Sequence, residues 1–243
     1  MPKGYKWWRR VFNWLEYRRE LIRFRDLSAA AGRQIPLWRE RFPILGEKTR
    51  SKEFDRHYVY HTAWGARILE QTRPTRHVDI SSSLYFVGIV SAFVPIEHYD
   101  YRPPQLRLDN VTTGFADLLA LPFSDRSIQS LSCMHVVEHV GLGRYGDQLD
   151  PDGDTKAMRE LARVLAPGGM LLFVVPVGRS RVCFNAHRIY SYDQVRACFY
   201  DLRLDQFILI PDQSADGGLV DATAEMVAAQ EYACGCFCFR RLN

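Results

Sequence analysis

The stretch between Gly114 and Val177 decides the fold of this chain. Residues 114–147 read GFADLLALPFSDRSIQSLSCMHVVEHVGLGRYGD, and residues 158–177 read MRELARVLAPGGMLLFVVPV. Together they place an acidic residue, an apolar strand, a polar cluster, a helix, a Pro-Gly-Gly turn and a second apolar strand in the order of a doubly wound sheet. We therefore predict an α/β fold with a mostly parallel sheet.

The strands and the helix of this stretch follow from its residue pattern. Ser130–Met134 and Met170–Val175 are short apolar runs, and the second suits a strand that is buried on both faces of a parallel sheet. Between them, Thr155–Leu165 carries apolar residues at the spacing of one helix face. Pro167 cannot continue that helix, and the two glycines after it permit the positive φ of a helix cap.

The preceding part of the chain repeats the pattern of strand, loop and helix. Arg76–Ile80 reads as a strand, three serines follow it, and Leu84–Val94 reads as a helix with apolar residues for packing on the sheet. The next strand runs from residue 94 to residue 99 and ends at Asp100. Residues 27–71 read as further helix that leads into the first strand and covers the cleft.

Ionisable side chains gather directly after the strand that ends at Met134. Open α/β sheets bind ligands outside the carboxyl ends of their strands, so we expect the functional site here. The cluster consists of His135, Glu138, His139, Arg144, Tyr145 and Asp147. The later string FNAHRIYS, residues 184–191, is expected to bring to the same cleft Asn185, His187, Arg188 and Tyr190.

These residues carry a resemblance to a known superfamily. The positions from Asp117 to Phe123, then His135, Glu138 and His139, then Leu165–Gly169, resemble the second half of class I S-adenosylmethionine-dependent methyltransferases. The strings DYRPP (100–104), EHVGLGRYGD (138–147) and FNAHRIYS resemble an uncharacterised methyltransferase-like family found in bacterial polysaccharide gene sets and in nematodes. The resemblance covers residues 55–243 and implies a Rossmann-like, seven-stranded, mostly parallel sheet with helices on both faces.

The resemblance also implies where S-adenosylmethionine, the expected cofactor, binds. Asp79 is expected to face its amino-acid end, and Asp117 its adenine amino group. The 21 positions between Asp79 and Asp100 fit a carboxylate that binds ribose hydroxyls. Serines replace the glycines usual after the first strand, and their hydroxyls and the helix amides still offer donors. The predicted cofactor-binding residues are Asp79, Ser81, Ser82, Ser83, Asp100, Asp117, Leu118 and His135.

The catalytic residues are predicted from what methyl transfer requires. The acceptor must be aligned with the methyl group, and a hydroxyl acceptor must lose its proton to a base. We expect His139 or His187 as the base and Glu138 or Asp147 as the residue that orients it. Two arginines are expected to clamp an anionic acceptor such as a phosphate or uronate, namely Arg144 and Arg188. Alternatively, Glu138 and His139 begin a helix and have a structural role.

The acceptor class comes from the family context, and it leaves rivals open. We expect O-methyl transfer to a saccharide or lipid-linked saccharide. A lone aspartate at a strand end is also common as a cap or turn residue. Arg102 can pair with Asp100 or contact a phosphate, which would favour a nucleotide-sugar-binding, glycan-modifying enzyme. The third reading is a non-catalytic scaffold, which is expected if bulky side chains such as Tyr85 fill the cleft.

Composition and cysteine placement indicate one catalytic domain, residues 55–243, after an N-terminal helical extension, residues 1–54. The 243 residues are 47% hydrophobic and 25% charged, which are ordinary globular values. Cys234, Cys236 and Cys238 alternate along the last strand, so they share one buried face. This spacing differs from that of paired zinc ligands, and we predict no metal site and a reducing, cytoplasmic compartment.

The basic charge of the chain is concentrated at its start. Residues 1–26 have a net charge of +5 and the remainder has −1. With its tryptophans, this segment is typical of a helix that lies on a membrane surface, which would make the protein peripheral on the inner membrane face. The alternative is docking on its own domain or on a second subunit in a homo-oligomer. We expect neither a membrane span nor a secretory signal, and no nucleic-acid partner.

Overall fold

The structure is a computed structural model that describes residues 3–46, 48 and 54–242. The side chains of residues 3–7 and 9, which carry part of the predicted N-terminal charge, and of residue 214 lie outside the described part. The chain divides into two compact units, Met1–Phe54 and Asp55–Asn243. None of the helices in the described part combines the length and apolar character that a membrane span requires.

The N-terminal unit contains one long helix, α1 (Lys3–Ala30). The prediction of further helix after residue 27 is wrong for the described residues 31–46, 48, 54 and 55, among which only a single 3-10 turn forms, at Trp38–Glu40. Gly32 has a φ of +61°, and prolines at positions 36 and 43 remove amide donors, which explains why the helix does not resume. Within this unit Lys48 Nζ pairs with Glu16 at 2.8 Å.

The second unit is built from ten strands and five helices. The strands are β1 (His77–Ile80), β2 (Ile96–Asp100), β3 (Val111–Phe115), β4 (Ile128–Met134), β5 (Leu165–Val177), β6 (Arg181–Cys183), β7 (His187–Ile189), β8 (Leu202–Ile210), β9 (Val220–Asp221) and β10 (Ala233–Arg241). The helices are α2 (Arg56–Thr72), α3 (Leu84–Val90), α4 (Gly153–Val164), α5 (Tyr192–Cys198) and α6 (Ala224–Ala228). Two 3-10 turns lie at Val137–His139 and Ser214–Asp216.

The central sheet has the strand order β3-β2-β1-β4-β5-β10-β8-β9. The first five strands run parallel, whereas β10 is antiparallel to both of its neighbours. The predicted mostly parallel α/β sheet is confirmed, and it has eight strands rather than seven because the two-residue strand β9 adds to its edge. Strands β6 and β7 form a separate hairpin.

The core lies on both faces of the sheet. Alternate residues of β5 face opposite sides, so that Phe173 packs in one apolar cluster and Leu172 and Val174 pack in the other. The cysteines of β10 all join the second cluster, as the alternation predicted. Gly168, after the end of α4, has the positive φ of +72° that a side-chain-bearing residue adopts at a cost. Because the first five strands run parallel, their carboxyl ends lie at one edge of the sheet.

Candidate functional site

A cavity of about 470 Å³ lies at the carboxyl ends of β1, β2 and β4. We call it the first cavity. Seven of the eight predicted cofactor-binding residues line it, namely Ser81, Ser82, Ser83, Asp100, Asp117, Leu118 and His135. Arg102 and Tyr58 also line it, whereas the bulky side chain of Tyr85 is exposed to solvent and leaves the cavity open.

Two half-buried carboxylates stand at the rim of the first cavity. Asp100 Oδ1 accepts a hydrogen bond from the Arg102 amide at 2.7 Å, and Asp117 Oδ1 accepts one from the Leu119 amide at 2.9 Å. Each aspartate thus uses one oxygen to hold its own turn. The second oxygen of each carboxylate is therefore left for a ligand.

Asp79 lies elsewhere, and its expected contact with the cofactor is corrected. Its side chain is fully buried and accepts hydrogen bonds from His98 Nδ1 at 2.8 Å, from the Ser82 amide at 3.1 Å and from the Ser132 hydroxyl. Burial raises the pKa of Asp79, but the hydrogen bond and charge of His98 outweigh it and leave the pKa below its ordinary value. Asp79 therefore holds β1, β2 and β4 together beneath the cavity.

The serine loop after β1 keeps the shape that glycines usually give. Ser81 has a φ of +56°, and its amide donates to the Tyr99 carbonyl at 2.8 Å. Ser82 Oγ accepts from the Met134 amide at 3.1 Å, and Ser83 Oγ caps α3 by accepting from the Tyr85 amide at 3.3 Å. The Ser82 and Ser83 hydroxyls thus tie the loop to β4 and to α3, and Ser81 Oγ donates to the Tyr99 carbonyl of β2 at 3.4 Å, while the loop lines the cavity.

A second cavity of about 440 Å³ adjoins the first. Four residues line both cavities and form a shared wall: Tyr58, His135, His139 and Tyr145. The predicted catalytic residues Glu138, Arg144 and His187 also line the second cavity. The remaining lining residues are Asp55, His57, Ala186 and Tyr232.

The shared wall contains a neutral histidine with an available ring nitrogen. His139 Nδ1 lies 2.6 Å from the Ala186 carbonyl, to which it donates, so Nε2 is the acceptor nitrogen. Burial lowers the pKa of His139. His139 Nε2 lies 3.8 Å from Glu138 Oε1. His187 is also held neutral, because burial lowers its pKa, and its ring packs 5.0 Å from that of Tyr232.

Glu138 and His135 form a buried pair behind that wall. Their Oε1 and Nδ1 atoms are 2.9 Å apart. Burial raises the pKa of Glu138 to about 7 and lowers the pKa of His135 to about 4, so both groups resist charging. Within the described residues, Glu138 Oε2 and His135 Nε2 lack a hydrogen-bond partner. Each such buried atom costs roughly 1–3 kcal/mol when it is left unpaired, so this pair is a candidate for contact with a ligand.

One of the two predicted arginines, Arg144, lines the second cavity. Arg144 is exposed, donates to the Ala186 carbonyl at 2.9 Å, and lies 5.2 Å from the centre of the Tyr145 ring. Arg102 lies 4.7 Å from the centre of the same ring. Two cations therefore contact Tyr145, one from each cavity.

The other predicted arginine is buried, and its role as an anion clamp is corrected. Arg188 donates to the carbonyl of Val140 at 2.6 Å, and its Nη2 lies 3.4 and 3.3 Å from the carbonyls of Asp150 and Pro151. Its Nε lies 3.5 Å from Asp154 Oδ2. These contacts occupy the guanidinium, which therefore holds the loop in place instead of binding an acceptor.

Asp147 shapes the same loop, and its expected role in orienting a histidine is corrected. It accepts hydrogen bonds from the amides of Gly141 at 2.7 Å, Gly143 at 3.3 Å and Tyr145 at 3.1 Å. Gly141 has a φ of +79°, and a Cβ there would lie 2.1 Å from the Asp150 carbonyl oxygen. The glycines and Asp147 together build a loop that lines the first cavity.

The helix that leads into the first strand was expected to cover the cleft, and α2 does so, but the sequence did not show which of its residues line the site. Asp55 caps this helix by accepting from the Tyr58 amide at 3.1 Å, so the first turn is fixed. Tyr58 then lines both cavities and His57 lines the second. A cap residue followed by His57 and Tyr58 was visible in the sequence, but nothing in the spacing linked them to residues 135–147.

Comparison with known proteins places the fold in context. A family described as "Caenorhabditis protein of unknown function, DUF268" matches residues 123–204, which agrees with the narrower resemblance. No curated protein matches the sequence. Among solved structures, the N-methyltransferase NodS of Bradyrhizobium japonicum, in complex with S-adenosyl-L-homocysteine, is similar with a TM-score of 0.53 and 15% identity, over 77% of this chain and 88% of that one.

Two further structures extend the comparison. The 1,6-didemethyltoxoflavin-N1-methyltransferase of Burkholderia thailandensis has a TM-score of 0.50 and 11% identity, over 75% of this chain and 79% of that one. The (4+2)-cyclase SpnF has a TM-score of 0.50 and 13% identity, over 74% and 80%. At these identities the likeness concerns the fold. The chain has the fold of the class I S-adenosylmethionine-dependent methyltransferases.

Proposed function

We propose that this chain is an S-adenosylmethionine-dependent O-methyltransferase that acts on a hydroxylated, anionic acceptor, namely a saccharide or lipid-linked saccharide. The observation that carries the proposal is the shared wall. A cofactor in the first cavity and an acceptor in the second would meet across His135, His139, Tyr58 and Tyr145. Two adjoining cavities with a neutral histidine between them suit the transfer of a group from one ligand to the other.

The first cavity fits S-adenosylmethionine by size and by donor set. Its volume of about 470 Å³ lies in the range of cofactor pockets. Asp100 has a second carboxylate oxygen for the ribose hydroxyls, and Asp117 has one for the adenine amino group. Leu118 supplies apolar surface. When bound, the cofactor supplies an electrophilic methyl group on a positively charged sulfur.

The residues of the second cavity position and deprotonate the acceptor. With the cofactor bound, an acceptor oxygen held here would bond to the methyl carbon as the carbon–sulfur bond breaks, and the sulfur would keep that electron pair. The hydroxyl proton moves to His139 Nε2, the nitrogen that the Ala186 carbonyl leaves free as an acceptor. Arg144 binds an anionic group of the acceptor, and Glu138, whose Oε1 lies 3.8 Å from His139 Nε2, stabilises the positive charge that develops on His139.

The saccharide assignment is supported by the chemistry of the lining. The second cavity combines the rings of Tyr58, Tyr145 and Tyr232 with carboxylate, imidazole and guanidinium groups. Aromatic rings pack against the C–H faces of sugars, while the polar groups bind hydroxyls. Arg144 adds a preference for a uronate or a phosphate.

One observation favours a second candidate, a glycan-modifying enzyme that binds a nucleotide sugar. Arg102 lines the first cavity next to Asp100, where a nucleotide phosphate could accept its hydrogen bonds. The solved structure of SpnF is described as a cyclase, so this fold also serves reactions other than methyl transfer. The serine loop departs from the glycine pattern in the same cavity.

Calorimetry with the purified full-length protein separates the two candidates. We expect micromolar binding of S-adenosylmethionine and S-adenosylhomocysteine, strongly weakened in Asp100→Ala and unchanged in Asp109→Ala, an exposed aspartate before the start of β3 that lines neither cavity. Competition by uridine diphosphate sugars, with no binding of S-adenosylmethionine, would establish the second candidate instead. Acceptor screening with uronate and phosphorylated saccharides then measures transfer of a labelled methyl group, which His139→Gln should abolish.

We also propose that α1 binds the inner membrane surface from the cytoplasm. The helix exposes Trp8, Phe12 and Leu15 together with Arg10 and Arg18. Apolar and basic side chains on one exposed helix suit an anionic lipid surface. Sedimentation with anionic vesicles should capture the protein, and Trp8→Ala together with Phe12→Ala should reduce capture. A stable dimer with no vesicle binding would favour the homo-oligomer instead.

A further inference from the structure

Three potential metal ligands converge beside the second cavity. They are His57 in the first turn of α2, His135 directly after β4, and Cys234 on β10. Their ligand atoms all lie within 4.8 Å of one another. His135 and Cys234 are buried and His57 is half-buried, so three distant parts of the chain meet in a sheltered place.

His135 is oriented as a metal ligand. Its Nδ1 lies 2.9 Å from Glu138 Oε1, which fixes Nδ1–H as the donor to the carboxylate. Its Nε2 is buried and lacks a partner among the described residues. Metal-binding histidines commonly donate their other ring N–H to a carboxylate or carbonyl, which fixes the tautomer that presents the free nitrogen to the ion. The Glu138–His135 pair has that arrangement.

His61 repeats this arrangement one helical turn after His57. Its Nδ1 lies 2.6 Å from the His57 carbonyl, to which it donates. Its Nε2 is also buried and unpartnered in the described part of the chain. The rings of His61 and His135 have centres 5.0 Å apart. Two imidazoles with unpaired, buried acceptor nitrogens therefore lie in this part of the interior, which favours a cation nearby.

We propose that His57, His135 and Cys234 bind a Zn²⁺ ion. Two imidazole nitrogens and one sulfur are the donors that Zn²⁺ prefers, whereas Mg²⁺ and Ca²⁺ prefer oxygens. Glu138 is the positioning residue that orients His135. His57 and His135 line the second cavity, so the fourth ligand comes from a molecule bound there. Three protein ligands and one open position are the pattern of a catalytic zinc site.

Metal binding stands independently of the proposed methyltransferase activity. Only the proposed role of the open coordination position depends on that activity, because there the ion would bind the acceptor oxygen and lower the pKa of the acceptor hydroxyl. The two ideas can therefore fail separately. Calorimetry with S-adenosylmethionine tests the first cavity, and metal spectroscopy tests the three ligands.

Co²⁺ titration of the metal-stripped, full-length protein tests the site. We expect one equivalent to bind, with the near-ultraviolet charge-transfer band of a thiolate–cobalt bond. Zn²⁺ should displace Co²⁺ and raise the Tm of the protein. Cys234→Ala should lose the band, while Cys238→Ala, a buried cysteine on the same strand face, should keep it. Azide should shift the visible cobalt bands, because it enters the open position.

Two further variants keep the test decisive if Cys234→Ala folds poorly. His57→Ala, at a half-buried helix start, should weaken Co²⁺ binding more than tenfold. Glu138→Gln should weaken it about 10- to 100-fold, as loss of a carboxylate behind a ligand histidine does. Absence of the charge-transfer band in the folded wild-type protein, or its persistence in Cys234→Ala, would overturn the site. Visible cobalt bands that do not shift when azide is added would contradict an open coordination position.

Discussion

Asp79 and Asp100 end neighbouring parallel strands and follow the same sequence pattern, yet their surroundings differ. Asp79 is fully buried and paired with His98, whereas Asp100 is half-buried and lines the first cavity. The register distinguishes the two residues, because Asp79 is flanked by His98 of β2 and Ser132 of β4, whereas Asp100 lies one residue beyond the last β1–β2 pair and is paired only with Phe115 of β3. The Asp100 side chain therefore lies where one of its two neighbouring strands has ended.

The sharpest test of this comparison is the same substitution at both positions. Asp79→Asn removes the charge opposite buried His98 and puts an amide donor among donors, so we expect a loss of about 3–5 kcal/mol in the free energy of unfolding. Asp100→Asn should change it by no more than about 0.5 kcal/mol. Urea denaturation followed by circular dichroism measures both. Equal losses would remove the distinction between the two carboxylates.

The pH dependence of stability should come from the buried pair. Burial opposes both charges, but the hydrogen bond between the partners prevails: the pKa of Asp79 falls below 3.8 and that of His98 rises above 6.5. The contribution of Asp79 is complete above pH 3.8 and is lost as the pH falls through its folded pKa. That of His98 is complete below pH 6.5 and is lost as the pH rises through its folded pKa.

The pair therefore contributes most between about pH 3.8 and pH 6.5. Urea midpoints measured across pH for wild type and Asp79→Asn should differ most in this window. The wild-type profile should persist in Asp100→Asn. A constant difference between wild type and Asp79→Asn at all pH values would contradict an ionised pair.

Cofactor affinity should reverse the ranking of the two substitutions. Asp100→Asn should weaken S-adenosylmethionine binding about 10- to 100-fold, because a hydrogen bond to a charged group contributes about 1.5–3 kcal/mol. Asp79→Asn, measured at a temperature where it is folded, should keep the wild-type affinity. Calorimetry on both variants provides the measurement, and a larger loss for Asp79→Asn would return that residue to the cofactor site.

The smallest expected effect concerns the loop that joins the two environments. Ser81 holds a left-handed conformation that costs a side-chain-bearing residue about 1–2 kcal/mol. Ser81→Gly relieves that strain but raises the entropy of the unfolded chain, so we expect a net gain below about 1 kcal/mol. Ser81→Ala keeps the strain and should give no gain. Thermal unfolding of both variants distinguishes these outcomes.

The sequence predicted those parts of the fold that depend on local pattern. Helix α4 and the buried strand β5 follow from apolar spacing, and the structure confirms them. The predicted turn and glycine cap at Pro167 are corrected, because α4 ends at Val164 with Leu165 as its cap, and Pro167, Gly168 and Gly169 already lie within β5. The sequence did not predict how deeply a side chain is buried. Asp147 and Arg188 look like site residues by type, but the backbone of the loop occupies their hydrogen-bonding groups.

The sequence also did not predict the cluster of His57, His135 and Cys234. Zinc ligands are visible in a sequence when they are closely spaced, and these residues are brought together only by the packing of α2, β4 and β10. The cysteine spacing therefore predicted no metal site. Likewise, Tyr58 lies in the site because the cap of α2 sets the direction in which the helix begins.

The cap of α2 has a practical consequence for anyone who shortens this chain. Asp55 is the first residue of the second unit, and its side chain holds the turn that carries His57 and Tyr58 into the two cavities. A truncation that starts at residue 55 preserves this oxygen, whereas one that starts a single residue later removes it and costs about 1 kcal/mol of helix stability. The Asp55 carboxylate thus sets the latest residue at which a truncated chain can begin and still keep the cap of α2.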